Sequence, residues 1–171
     1  MLEKFAMIDT FVFDIDGVLT DGTLLVLPEG VMARRMNIKD GYALQLAKKR
    51  GYSVVIISGG DSAEVKDRMA KLGVKDVFMK VEDKLKQLNT YLLENNKNLS
   101  TVMFMGDDIP DAAVMKAVAL PVCPADAVAD IKTISFYISP LKGGEGCVRD
   151  VIEKTMRLRG DWYEDTSVVS K

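Results

Sequence analysis

One short stretch, an apolar run that ends in two aspartates, limits most strongly what this chain can fold into. Ile8 and Phe11–Phe13 form a nearly continuous apolar run, which is typical of a strand buried on both faces of a parallel sheet. Asp14, Asp16 and Gly17 follow at once. Side chains at i and i+2 of an extended chain point to the same side, so the two carboxylates share one face. Ligands of open α/β sheets bind beyond the carboxyl ends of the strands, which makes this pair a candidate site.

The rest of the chain alternates strand and helix patterns, as a doubly wound parallel α/β sheet requires. Apolar runs predict further strands at 54–57, 77–79, 101–105, 119–122 and 134–138. Amphipathic segments predict helices that begin at Asp40, at Asp61 or Ser62, at Lys84, after Asp111 and near Val148. We therefore predict one α/β domain, residues 1–160, followed by a polar and mobile tail, residues 161–171.

A β-hairpin is predicted where an α/β unit would normally place its first helix. Residues 23–27 and 31–37 flank Pro28-Glu29-Gly30, which is a typical loop sequence. This hairpin insert, at about residues 22–38, lies directly beside the aspartate pair. Asp40 is then the predicted N-cap of the next helix.

The composition excludes several classes of function. The chain has 171 residues and a formal net charge of −2 without a basic run, which argues against nucleic acid or a membrane surface as a partner. No signal-peptide pattern and no bilayer-spanning run is present, so we expect a cytoplasmic protein with Cys123 and Cys147 reduced. Histidine is absent, which excludes the usual serine-hydrolase triads and His-ligated zinc sites.

Polar residues at several strand and helix ends fall on the same edge of the predicted sheet. They are Asp14 and Asp16, Ser58 with Gly59, Lys84, and Asp107 with Asp108. Carboxylates from two strands provide the oxygen ligands that Mg²⁺ prefers. A serine hydroxyl and glycine N–H groups at a helix N-terminus can hold a phosphate, and a lysine can neutralise it. Without histidine, one carboxylate as nucleophile and a second as acid and base is the natural hydrolytic scheme.

Each of these features has a simpler interpretation when taken alone. The first aspartate pair could be an acidic surface turn, Ser58-Gly59-Gly60 a plain turn, and Lys84 a solvated helix lysine. Asp107, Asp108 and Asp111 could serve only to cap a helix. Their occurrence together, in order and at strand ends, favours a phosphohydrolase site.

Taken together, these motifs resemble those of the haloacid-dehalogenase phosphohydrolase superfamily. The matching motifs are Asp14-Ile15-Asp16-Gly17, Ser58, Lys84 and Gly106-Asp107-Asp108-x-x-Asp111. Within the superfamily the chain resembles the small, nearly capless phosphatases of 3-deoxy-D-manno-octulosonate 8-phosphate and of 2-keto-3-deoxy nonulosonate 9-phosphates. The features of that branch are Asp16–Gly22, the hairpin, Asn37-x-x-Asp40-Gly41 and Gly143-Gly-x-Gly-x-x-Arg149.

The resemblance implies a role for each motif residue. Asp14 would be the nucleophile that forms an aspartyl-phosphate. Asp16 would protonate the leaving sugar alcohol and later activate water. Ser58, with Gly59, and Lys84 would hold the phosphoryl group.

The resemblance also implies Mg²⁺ and a homotetramer. The implied metal-binding residues are Asp14, Asp16 through its backbone carbonyl, and Asp107, supported by Asp108 and Asp111. Relatives are similar in forming tetramers in which the hairpins pack into a barrel and a glycine-rich C-terminal segment can close over a site. Arg34, Arg35 and the segment after Arg149 are therefore candidates to touch the substrate carboxylate across a subunit boundary. For Arg34 and Arg35 an alternative interpretation is equally good, namely that each is a solvated charge on a strand.

One position departs from the octulosonate phosphatase pattern, which commonly has arginine where this chain has Gly60. A nonulosonate phosphatase used for comparison has glutamate there and a lysine further along the helix, and Lys71 lies at that further place. The departure leaves the predicted catalysis unchanged, but it leaves the sugar specificity open.

The expected function is Mg²⁺-dependent hydrolysis of octulosonate 8-phosphate for lipopolysaccharide synthesis, with a nonulosonate 9-phosphate as the alternative substrate. A mutase or phosphonate hydrolase would need a cap domain, for which the chain has no spare length. A phospho-receiver domain carries its accepting aspartate on the third strand, which here ends without one. An inactive interaction subunit is disfavoured because no catalytic position is missing.

Overall fold

A six-stranded parallel sheet forms the centre of the protein in a computed structural model that describes residues 2–169. The strand order is β5-β4-β1-β6-β7-β8, and every pairing in this sheet is parallel. The strands are β1 (Thr10–Phe13), β4 (Ser53–Ile57), β5 (Asp76–Phe78), β6 (Val102–Met105), β7 (Leu120–Cys123) and β8 (Tyr137–Ile138). The helices are α1 (Leu2–Ala6), α2 (Ile38–Lys49), α3 (Ala63–Lys71), α4 (Lys84–Glu94), α5 (Ala112–Ala117), α6 (Ala129–Ile134) and α7 (Cys147–Leu158). The predicted doubly wound α/β fold is confirmed, and no cap domain is present within residues 2–169.

Strand β1 lies in the middle of the sheet because it is apolar on both faces. Phe11 and Phe13 pack into the core on one side, which includes α2 and α7. Val12 packs on the opposite side with residues of α4 and α5. Since β4 and β6 flank β1 in register, their carboxyl ends meet the aspartates that follow β1.

The hairpin insert is present but contains less strand than its sequence predicts. Only β2 (Leu25–Val26) and β3 (Met32–Ala33) pair in antiparallel fashion, and an isolated bridge joins Thr20 to Met36. The short pairing leaves several apolar side chains of the hairpin exposed, namely Leu24, Leu25, Val26, Leu27, Val31 and Met32.

The N-cap of α2 is Asn37, and the prediction of Asp40 was wrong. The Asn37 side chain accepts a hydrogen bond from the backbone N–H of Lys39 at 2.8 Å, which satisfies a free donor of the first turn. Asp40 lies inside α2 and is only 1 % exposed. Its Oδ1 instead accepts the backbone N–H of Arg149 in α7 at 2.7 Å, so it joins two helices.

Two short helices and the end of the chain differ from the sequence prediction. Helix α1 was not predicted, and α6 occupies the start of the segment expected to form strand 134–138, which leaves β8 with two residues. Residues 161–169, expected to be mobile, pack against the domain: Asp161 accepts from Tyr52 Oη at 2.5 Å, and Arg50 lies 3.7 Å from the ring centroid of Tyr163. Residues 1, 170 and 171 of the predicted domain and tail lie outside the described residues.

None of the helices in residues 2–169 combines the length and the apolar character that a membrane crossing needs.

Candidate active site

Asp14 leaves the end of β1 with its backbone still paired to the sheet and its side chain held from two directions. Its backbone N–H donates to the Met105 carbonyl at 3.1 Å. Its Oδ1 accepts the backbone N–H of Ile15 at 2.6 Å, and its Oδ2 lies 2.8 Å from Lys84 Nζ. The carboxylate is therefore fixed in orientation at the edge of the sheet.

Gly17 is required here because the chain turns sharply against the neighbouring acidic loop. Its φ is +85°, and an added Cβ would lie 1.9 Å from Asp107 Oδ2. The glycine-rich segment before α7 packs under the same turn, since a Cβ on Gly143 would lie 2.0 Å from the Gly17 carbonyl oxygen. In this chain that segment therefore packs directly against the loop that carries Asp16 and Gly17. Thr20, which sequence reasoning did not single out, accepts from the N–H groups of Gly17 and Gly22, both at 3.3 Å.

Lys84 is the buried cation of the site. It is the first residue of α4, which Asp83 caps by accepting the Lys86 N–H at 2.9 Å. Lys84 is 6 % exposed, and its Nζ contacts Asp14 Oδ2 at 2.8 Å and Asp111 Oδ1 at 2.6 Å. Burial alone would lower the pKa of Lys84, but the two carboxylates hold this pKa above its usual value.

Asp111 and Asp107 complete the acidic cluster from the loop after β6. Asp111 Oδ2 accepts the backbone N–H of Asp107 at 3.1 Å, and Gly106 is needed beside it because a Cβ there would lie 2.4 Å from the Asp111 Cβ. Ligand oxygens of Asp14, Asp107 and Asp111 lie within 4.8 Å of one another. Among the described residues, no group donates a hydrogen bond to the Asp107 carboxylate.

The electrostatics of this cluster fit a bound divalent cation. Burial raises the pKa of Asp14 to about 6, and the charge of Asp111 adds to the effect while Lys84 opposes it. Burial, together with Asp111, Asp14 and Asp108, raises the pKa of Asp107 to about 7. Three close carboxylates with one lysine carry excess negative charge, and all the donor atoms are oxygens, as Mg²⁺ prefers.

The loop after β4 forms the opposite wall of the cavity. Ser58 is 2 % exposed and its Oγ accepts the Gly60 N–H at 3.1 Å. Backbone bonds from Lys80 N–H to the Gly60 carbonyl and from Val81 N–H to the Ser58 carbonyl, each 3.0 Å, fix the loop. The cavity has a volume of about 310 Å³ and is lined by Asp14, Asp16, Gly22, Ser58, Gly59, Gly60, Val81, Glu82, Lys84, Asp107, Asp108, Pro110 and Asp111. Glu82 and Pro110 were not predicted there, and neither carries a motif that would have identified it.

Asp16 faces the hairpin and is held by Arg34. Arg34 Nε lies 2.6 Å from Asp16 Oδ1, and Arg34 Nη2 lies 3.2 Å from Asp16 Oδ2. Arg34 Nη1 donates to the Met32 carbonyl at 3.2 Å. The hairpin insert thus sends one buried guanidinium onto the second motif aspartate.

The side chains of three other predicted site residues are engaged in separate contacts. Arg35 is exposed and pairs with Asp21 at 2.8 Å. Lys71 pairs with Asp67 at 2.8 Å on the exposed face of α3 and does not line the cavity. Asp108 lines the cavity, and its Oδ1 accepts the Ile109 N–H at 2.7 Å and so caps the following turn.

The chain is similar in sequence to proteins that are named as phosphatases. It is 31 % identical over 160 residues to the 3-deoxy-D-manno-octulosonate 8-phosphate phosphatase of Escherichia coli K12, over 94 % of this chain and 85 % of the relative. The Yersinia pestis enzyme of the same name is 30 % identical over 153 residues, which cover 90 % of this chain and 82 % of the relative. No family model matches the sequence.

Solved structures of such enzymes share the fold. The Yersinia pestis phosphatase has a TM-score of 0.91 and 29 % identity, covering 94 % of this chain and 86 % of that chain. The Moraxella catarrhalis phosphatase, solved with a magnesium ion, a phosphate ion and a KDO molecule, has a TM-score of 0.90 and 29 % identity, covering 94 % of this chain and 92 % of that chain.

The comparisons and the geometry point to the same kind of protein. The relatives are named as phosphatases, which sets aside the receiver-domain and inactive-subunit alternatives. The motif residues that suggested the resemblance meet in one cavity. The chain therefore belongs to the 3-deoxy-D-manno-octulosonate 8-phosphate phosphatase family of the haloacid-dehalogenase superfamily, and it is a phosphoric monoester hydrolase.

Proposed function

We propose that this phosphatase hydrolyses 3-deoxy-D-manno-octulosonate 8-phosphate to the free sugar acid and inorganic phosphate, as a step toward lipopolysaccharide. The observation that carries the proposal is the Asp14 carboxylate, fixed between Ile15 N–H and Lys84 Nζ beside the Ser58 loop in the same cavity. Support for the substrate comes from the names of relatives that match 94 % of the chain and from a neighbouring structure that contains KDO and phosphate.

In the proposed reaction, an oxygen of Asp14 attacks the phosphorus and the bond to the sugar oxygen breaks. Asp16 donates a proton to the departing oxygen and then takes one from the water that attacks the phosphorus of the aspartyl-phosphate and releases Asp14. Lys84 offsets negative charge on the phosphoryl oxygens. Ser58 and the N–H of Gly59 hold and orient the same group.

The proposed cofactor is Mg²⁺, bound by Asp14, Asp107 and the Asp16 carbonyl, with Asp108 and Asp111 in support. Asp111 Oδ1 contacts Lys84 Nζ and Asp111 Oδ2 accepts the Asp107 N–H, so its part is to hold these two groups in place. When bound, Mg²⁺ supplies positive charge that offsets the charges of the carboxylates and the phosphate. Removal of the metal with EDTA should abolish phosphate release, and Mg²⁺ should restore it.

The direct test is phosphate release from three substrate classes in Mg²⁺: octulosonate 8-phosphate, a nonulosonate 9-phosphate and hexose phosphates. The proposal expects a strong preference for octulosonate 8-phosphate, and Asp14→Asn should lose turnover by several orders of magnitude, on the order of 10³-fold or more. Preference for the nonulosonate would assign the alternative substrate. Equal turnover of all three classes would contradict the proposed specificity.

A homotetramer is proposed from the apolar surface of the hairpin. Leu25 is 63 % exposed, Val26 70 % and Met32 50 %, and contiguous exposed apolar residues mark an interaction site. A second copy of the same hairpin is the partner that would cover them. Light scattering should give four chains for the native protein and for the matched control Leu93→Asp, an exposed helix position, and fewer chains for Val26→Asp. A native protein that remains a monomer would contradict the proposal.

A cytoplasmic location is proposed because Cys123 and Cys147 are both buried as free thiols, which fits a reducing compartment. Cell fractionation tests it, and recovery of the protein outside the cytoplasm would contradict it.

A further inference from the structure

The pair formed by Arg34 and Asp16 engages both oxygens of a carboxylate that the proposed reaction needs. Both contacts, Nε to Oδ1 at 2.6 Å and Nη2 to Oδ2 at 3.2 Å, belong to one guanidinium, which is the bidentate geometry of strong arginine–carboxylate pairs. The Arg34 side chain is 7 % exposed, whereas that of Asp16 is 36 % exposed. The arginine is thus covered, and the aspartate still faces the cavity.

Gly60 makes the room that this pair occupies. A Cβ at position 60 would lie 3.1 Å from Asp16 Oδ2, 3.4 Å from Arg34 Nη2 and 3.5 Å from Ser58 Oγ. Any longer side chain there would compete with the Arg34 guanidinium for the same space. Because position 60 carries no side chain, the Arg34 guanidinium has room beside Asp16. The positive charge next to Asp16 is therefore supplied by the hairpin.

An arginine paired with one carboxylate can pair with another at little cost in free energy, because the same N–H groups donate to the same kind of oxygen acceptor. The proposed substrate carries a carboxylate that a plain sugar phosphate lacks. Arg34 also has a long, flexible stem rooted in a hairpin with only two paired residues on each strand, so it can change partner without disturbing the sheet.

We propose that Arg34 is a partner-exchanging specificity residue: the substrate's carboxylate takes the Arg34 guanidinium from Asp16, and this frees the Asp16 carboxylate to face the leaving oxygen. This inference rests on the proposed function and deepens it. It makes the carboxylate a requirement for turnover as well as for binding. A sugar phosphate without a carboxylate enters the same cavity but leaves Asp16 engaged by Arg34.

The test compares kcat and KM of the wild type and Arg34→Met on octulosonate 8-phosphate and on glucose 6-phosphate. Methionine keeps much of the apolar volume and removes every donor. Arg34→Met should lower kcat/KM for the sugar acid by about tenfold or more, since it loses a charged contact. It should raise kcat for glucose 6-phosphate, because Asp16 is then free. Arg50→Met, which removes an arginine paired with Asp165 before the start of β4 and away from the cavity, is the matched control and should change neither.

Two further measurements, on a second variant and with an added keto acid, test the inference if Arg34→Met folds poorly. Gly60→Ala should weaken the pair by crowding Nη2 and Oδ2, and so shift the two substrates in the same opposite directions. Pyruvate, a small free keto acid, should accelerate glucose 6-phosphate hydrolysis by the wild type but not by Arg34→Met.

The outcomes separate the inference from the proposed function. A wild type without preference for the sugar acid contradicts the proposed function. A wild type that prefers the sugar acid, combined with an Arg34→Met variant that loses the same factor on both substrates or keeps the preference, overturns the inference alone. Thermal unfolding of each variant identifies losses that come from misfolding.

Discussion

At the scale of single residues, Lys84 supplies the positive charge that stabilises the acidic cluster when no metal is bound. It contacts Asp14 and Asp111 at 2.8 and 2.6 Å and is nearly buried. Lys84→Met leaves three close carboxylates without a compensating cation, so the free energy of unfolding in EDTA should fall by about 3 kcal/mol. Urea unfolding in EDTA and in Mg²⁺ checks this, and the loss should be smaller in Mg²⁺.

The control for this prediction is Lys80→Met, which removes an exposed partner of Asp61. Surface pairs contribute little to stability, so Lys80→Met should unfold like the wild type. A loss for Lys84→Met that is identical in EDTA and in Mg²⁺ would contradict the electrostatic account of the cluster.

The raised pKa of Asp107 should make the affinity of the proposed metal site depend on pH. Its pKa is raised to about 7, first by burial and then by Asp111, Asp14 and Asp108, and that of Asp14 is raised to about 6. A carboxylate binds a cation in its ionised form, so protons compete with Mg²⁺ as the pH falls below about 7. Calorimetry at about pH 8 and pH 6 should show affinity about tenfold weaker at the lower pH, with proton release on binding. Equal affinities would contradict it.

At the scale of elements, Asp40 connects α2 to α7 and makes the free energy of unfolding depend on pH. Burial raises its pKa from 3.8 to about 6, against the opposing Arg149 N–H, and its Oδ2 has no hydrogen-bond partner among the described residues. Because the folded state holds the proton more tightly, the stability contributed by Asp40 is greatest below about pH 4. It falls between about pH 4 and pH 6, by up to about 3 kcal/mol.

Asp40→Asn should remove this dependence, since the amide keeps an oxygen for the Arg149 N–H and cannot ionise. Relative to the wild type, the variant should gain stability between about pH 4 and pH 7.5, as measured by urea unfolding at several pH values. Asp67→Asn, at an exposed position paired with Lys71, is the matched control. A difference between Asp40→Asn and wild type that stays constant with pH would contradict the account.

Sequence patterns predicted elements well where local signals and burial agree, and less well elsewhere. The run Phe11–Phe13 identified the central strand because both faces are apolar. The N-cap of α2 was assigned to Asp40 because aspartate is a good cap, but Asn37 three residues earlier performs that role and Asp40 serves a tertiary contact with α7. A contact of this kind, 109 residues apart in sequence, leaves no local signal.

At the scale of the whole molecule, the site is the consequence of a parallel sheet. Strands β1 and β6 are adjacent, so Asp14 and Asp107 meet although they are far apart in the sequence. The order of the motifs predicted this meeting. The closing of Arg34 over Asp16 was not predictable, because it depends on the exact fold of a hairpin with little regular pairing and on the space left at Gly60.

The tail illustrates a different limit of sequence reasoning. Its polar composition suggested mobility, yet Asp165 pairs with Lys49 at 2.7 Å and Trp162 packs edge-on to Tyr42, with ring centroids 6.1 Å apart. Several single contacts, each weak, together hold residues 161–169 along α2. Such dispersed contacts have no periodic pattern in the sequence.

The most direct test of the central claim, that Asp14 is the nucleophile of a phosphatase, is to trap the phosphorylated enzyme. The enzyme would be mixed with octulosonate 8-phosphate and Mg²⁺ and quenched in acid during turnover, and the peptide that contains Asp14 would then be analysed by mass spectrometry. The account predicts a phosphoryl group on Asp14 in the wild type, and none in EDTA or in Asp14→Asn. An unmodified Asp14 peptide during rapid turnover, or a phosphoryl group on another residue, would contradict it.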